Sequence, residues 1–96
     1  MSSVESYLVK LKIAYEKIRE DFNNQKEDFF LLKSYAQDLL TTTSNYKMNE
    51  NIEFSKHNQI KLVKLIADIR NLINAIEHEI EIQTKEEHFS SDNTKY

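Results

Sequence analysis

A chain of 96 residues is bounded to one domain, and the complete absence of Cys, Gly and Pro excludes disulfide staples, thiolate metal sites, glycine phosphate loops and most sharp turns. Thirteen basic residues against 16 acidic ones give a net charge of −3, which argues against a general nucleic-acid binder. No apolar run approaches the roughly 18 residues of a membrane span, so no membrane insertion is expected.

Ser2 and Glu5 form the S-x-x-E capping-box pattern, which starts a helix near Ser3. From there Val4, Leu8, Leu11, Tyr15, Ile18, Phe22, Gln25, Phe29, Leu32, Ala36 and Leu39 recur at alternating spacings of four and three, with Gln25 the sole polar member. Asn24 with Glu27 offers a second cap and so a break at Asn23–Gln25, which would fold the ends back into a compact bundle. The seam keeps its phase across this point, and a single helix over 3–40 is expected, about 55 Å long.

Thr41-Thr42-Thr43-Ser44-Asn45 is expected to end that helix: three β-branched residues lower helix propensity, and Ser and Asn compete for local hydrogen bonds. A loop over 41–49 follows. Asn49 then caps a second helix over 50–86, with Glu50 and Glu53 in its first turn. Its seam is Ile52, Ser55, Gln59, Leu62, Ile66, Ile69, Ile73, Ile76, Ile80 and Gln83. Glu77, Glu79, Glu81, Glu86 and Glu87 give the helix end the wrong sign for its dipole. Fraying is expected there, and 89–96 reads as a disordered tail outside a domain of residues 1–88.

Two such helices predict an all-α fold, an antiparallel two-helix coiled-coil hairpin. Paired residue numbers summing to about 91 match apolar layers, Phe29 with Leu62 and Ile18 with Ile73 among them, and bring Lys12 near Glu77 and Glu79. The apolar stripe widens around Leu65 and Leu72, with Tyr7, Ala14 and Tyr35 opposite. A wide stripe marks a helix with more than one neighbour, so the hairpin is expected to complete a four-helix bundle by association with its own copy or another helical protein. Tyr7, Ala14, Tyr35, Leu65 and Leu72 are the candidate partner interface. Ile13, Phe30, Leu31, Phe54 and Ile82 stand at nominally exposed positions and favour the same conclusion.

Lys12, Arg19, Lys26 and Lys33 recur every seven residues, and Lys56 and Arg70 flank the same edge. Such a basic edge is either an ordinary coiled-coil flank, its stems covering the seam, or a docking edge for an acidic helix.

Chemistry has few candidates. His57, His78 and His88 are the imidazoles, but no Glu has a His three residues later, as di-iron bundles require. Glu53 and His57 stand at i, i+4. No Cys is available as a nucleophile, and Arg70 with His78 is spaced too widely for the Arg…His pair of helical HEPN ribonucleases. No cofactor, metal, small-molecule substrate or catalytic residue is expected.

In length and architecture the chain looks like the small helical hairpins of the WXG100 type and their partner chaperones in type VII secretion. It has neither the Trp nor the Gly of their turn, and Tyr46-x-x-x-Glu50 matches their short export pattern at a loop position. It is similar in size to the four-helix bacteriocin immunity proteins and to small subunits of eukaryotic helical complexes. The expected function is a non-catalytic protein–protein interaction module: an adaptor, a chaperone-like partner or a subunit. The opening Met-Ser-Ser-Val-Glu lacks the features of a signal peptide, so a cytoplasmic location is expected, with export by a non-classical signal left open.

Overall fold

The computed structural model describes residues 3–94, with side chains described for 3–85. Three α-helices follow one another, α1 (Ser3–Asn23), α2 (Phe29–Lys47) and α3 (Lys56–Thr94), and no strand occurs among the described residues.

The chain breaks where the compact alternative placed it, and the single helix over 3–40 does not form. Gln25 adopts a left-handed conformation with φ of 54°. Around it the Lys26 N–H donates to the Asp21 carbonyl (3.0 Å) and the Gln25 N–H to the Phe22 carbonyl (3.2 Å). That pair of bonds is a Schellman motif, which satisfies the last carbonyls of α1 and turns the chain away. Asp28 then caps α2, its Oδ1 accepting from the Phe30 N–H at 2.7 Å. The unbroken seam did not reveal the break because Phe22 and Phe29 are one heptad apart. A reversal between them leaves both facing the same core, with ring centroids 5.3 Å apart.

The threonine run is also helical. The Thr41 hydroxyl donates to the Gln37 carbonyl (3.1 Å) and the Thr43 hydroxyl to the Leu39 carbonyl (2.8 Å). Thr43 is fully buried, so packing overrides propensity and the back-bonded hydroxyl meets no unsatisfied environment. The connection is 48–55 rather than 41–49. Asn49 closes a local turn within it, its Oδ1 accepting from the Asn51 N–H at 2.9 Å, and Ser55 takes the capping role, its Oγ accepting from the Asn58 N–H at 3.1 Å. The backbone of α3 runs to Thr94, past residue 86 where the charge pattern predicts its end. Residues 95–96 of the expected tail lie outside the described residues.

The helices pack up, down and up, each touching both others. At one end Tyr7 of α1 packs on Tyr46 of α2 with the rings tilted (centroids 4.3 Å), and Tyr46 meets Phe54 of the connection edge-on (5.3 Å). At the other end Phe22 meets Phe29, and Lys33 of α2 lies 3.9 Å from Glu77 of α3. The hairpin register and the approach of Lys12 to Glu77 are thereby replaced: α1 turns back, and α2 is the antiparallel partner of α3, with Lys33 beside Glu77.

The core comprises Leu8, Leu11 and Ile18 of α1, Phe29, Leu32 and Ala36 of α2, and Leu62, Leu65, Ile69, Leu72, Ile73 and Ile76 of α3. Half of it comes from α3, whose two apolar flanks serve two neighbours. Ile80 is the last α3 residue packed against the core among the described residues, and the α3 backbone runs on to Thr94. The 39 residues of α3, about 58 Å long, set the 63 Å long axis against widths of 22 and 16 Å. No helix among the described residues is long and apolar enough to cross a membrane.

Candidate protein interface

Because α1 and α3 run in the same direction and are joined only through α2, a groove of about 590 Å³ remains between them. Its floor is apolar, formed by Leu8, Val9, Tyr15 and Leu65, and its rim carries Lys12, Arg19, Lys61 and Lys64 with Glu5, Glu16 and Asp68. The rim charges are partly engaged: Arg19 pairs with Glu16 (2.9 Å) and stands 6.0 Å over the Tyr15 ring, and Lys64 reaches Asp68 at 3.5 Å. No ion pair among the described residues engages Lys12 or Lys61. Val9, Lys12 and Glu16 also line a shallower depression on α1, together with Ile13, Lys17 and Glu20. Val9 is 48% and Ile13 63% exposed, so the groove and this face form one partly apolar surface.

The structure distributes the sequence-derived interface residues differently. Leu65 and Leu72 are buried in the chain's own core. The wide stripe does face two neighbours, but both belong to the same chain, and Leu65 reaches the surface only as a small edge in the groove floor. Tyr7 is half-buried against Tyr46, Ala14 is half-buried on α1, and Tyr35 is exposed on α2. The continuous basic edge does not survive the break: Lys12 and Arg19 line the groove, Lys26 lies in the α1–α2 turn, Lys33 pairs with Glu77, and Lys56 and Arg70 are exposed on α3. Val9, Lys61 and Lys64 were missed. Their signal was present as an exposed apolar residue and two lysines at i, i+3, but it acquires meaning only once α1 lies beside α3.

At the aromatic end Tyr46 titrates above the ordinary tyrosine range, first because burial disfavours the phenolate and second because Tyr7 lies alongside. Asn58, buried in the first turn of α3, has a side-chain oxygen with no hydrogen-bond partner. On the exposed face of α1, Lys17 is raised by its hydrogen bond to Asp21 (3.1 Å) and by the same carboxylate's charge. His57, His78 and Glu53 are exposed, the side chain of His88 lies outside the described residues, and no group of three His, Asp or Glu among the described residues is placed to hold a metal ion. No family model, curated protein or solved structure matches the chain.

Proposed function

We propose that the chain is a non-catalytic protein–protein interaction module, an adaptor, chaperone-like partner or subunit, that receives an amphipathic helix in the α1–α3 groove. The observation that carries this reading is the groove itself: an apolar floor that includes the exposed Val9, a mixed charged rim, and Ile13 left exposed beside it. A helix laid there makes a fourth helix, covering apolar surface that the three-helix core does not. The rim's alternating charges supply orientation more than affinity.

The test is site-specific photocrosslinking in the native setting. A photoreactive residue at Val9 is expected to give a discrete crosslinked species, and one at Gln37, exposed on α2, none. Equal labelling from both positions, or none from Val9, would reject the groove as the docking surface.

A further inference from the structure

The turn between α1 and α2 is built from residues suited to helix as well as to turn. Its five residues, Asn24-Gln25-Lys26-Glu27-Asp28, include no Gly or Pro, and Gln, Lys and Glu are good helix formers. Gln25 is the one non-glycine residue with positive φ among the described residues, a conformation that penalises any side chain with a Cβ. All five are exposed, so straightening the turn takes none of them out of a packed interior. A straight backbone also gives the last carbonyls of α1 and the first N–H groups of α2 helical partners, in place of the Schellman bonds and the Asp28 cap.

The apolar seam points the same way. Two helices joined by a turn are free to differ in phase, yet Leu11, Ile18 and Phe22 of α1 continue into Phe29, Leu32 and Ala36 of α2 at spacings of three, four and seven. A helix over 3–47 therefore keeps the core residues of both elements on one face. Straightening carries α1 off its own bundle and uncovers Leu8, Leu11 and Ile18, which are buried there. The surface shaped to cover them is the one α1 has just left, and a second open copy presents it.

We infer that the α1–α2 turn is a hinge through which two copies of this chain exchange α1, each α1 packing on the α2 and α3 of the other copy. Short connections under backbone strain are where such exchange begins. Because α1 and α2 are antiparallel in the single chain, the two straightened helices pair antiparallel about a two-fold axis near Gln25, and the contact closes at a dimer. The contacts of α1 recur between copies: Phe22 of one meets Phe29 of the other, and Tyr7 meets Tyr46. The α1–α3 groove is rebuilt from two copies, so the exchange does not depend on what the groove binds.

The experiment refolds the full chain from urea at low and at high protein concentration and measures mass by sedimentation, with circular dichroism on the same samples. A dimer that retains its helix content is expected at high concentration. Each dimer contains two hinges, so a hinge substitution acts twice. Gln25→Gly relaxes the turn and weakens the straight helix, and should weaken the dimer about tenfold or more. Asp28→Ala removes the α2 cap and should tighten it about tenfold. The arrangement itself is read from spin labels at Lys10→Cys with Thr42→Cys, two exposed positions in a chain without native cysteine. In the single chain they lie between the Tyr7–Tyr46 and Phe22–Phe29 contacts, on neighbouring helices whose axes are about 8–10 Å apart. On a straight helix over 3–47 they are 32 residues, or about 48 Å, apart. Doubly labelled chain refolded at high concentration with an excess of unlabelled chain should show the long distance. A chain that stays monomeric at every refolding concentration would overturn the inference. So would a dimer that keeps the short distance, which is association of closed copies, or one that Gln25→Gly leaves unchanged.

Discussion

Gln25 shows how a chain without glycine reverses direction. Its positive φ is a conformation that a side chain with a Cβ adopts at a cost of roughly 1–2 kcal/mol, met here by the Schellman hydrogen bonds it makes possible. Gln25→Gly should raise unfolding stability by about 0.5–1 kcal/mol, the relief of strain being offset in part by glycine's greater freedom when unfolded; urea titration measures it. Asn58 is the opposite case, a buried carbonyl oxygen without a donor, and Asn58→Leu should stabilise by about 1 kcal/mol in the same assay. Tyr46 gives the fold a pH limit. Its folded-state pKa is raised, so the folded chain holds that proton more tightly than the unfolded one. The contribution is complete below the ordinary tyrosine pKa of about 10 and is lost as pH rises through the folded value. Melting temperature should fall above that pH, and fall less steeply in Tyr46→Phe.

Each element is bounded by local chemistry that the sequence displayed unequally. The start of α1 near Ser3 was legible from the capping pattern. The start of α3 was not, because Asn49 and Ser55 are both good caps, and only the span needed to cross the bundle's end decides between them. Ser55→Ala should cost about 1 kcal/mol, while Asn49→Ala should cost little, a contrast that denaturant midpoints resolve. Likewise Asn24 and Asp28 both follow α1, and Asp28 is the one whose carboxylate meets an N–H of the next helix. The threonines at the end of α2 were misleading for a related reason: propensity scales describe exposed helices, whereas Thr43 sits in a packed interior where its hydroxyl has an acceptor one turn back.

Seen whole, the molecule is a three-helix bundle with one helix longer than the others, and its apolar residues fall into two classes that sequence periodicity alone does not separate. Leu65 and Leu72 belong to the core, and Val9 and Ile13 to the surface. Leu65→Lys with Leu72→Lys should therefore unfold the chain, seen as a large loss of helical circular dichroism, because two buried ammonium groups lack partners. Val9→Lys with Ile13→Lys should keep helix content and melting temperature while abolishing groove binding. Retained helicity in the leucine variant would contradict the burial of Leu65 and Leu72 in the core.

By itself the sequence determined that the chain is helical, that its seams run through Leu8, Leu11, Ile18, Leu32, Leu62, Ile69 and Ile76, and that α3's stripe serves more than one neighbour. These follow from spacing, which reports which side of a helix is apolar. Tertiary structure alone decided how many helices there are and which neighbours they find. The reversal at Gln25 keeps the heptad phase, so a straight helix and a folded one present the same pattern, and the choice rests on burial gained between residues distant in the chain. The groove has the same origin: Val9, Lys12, Lys61 and Lys64 become one surface only because α2 carries the chain back and lays α3 beside α1.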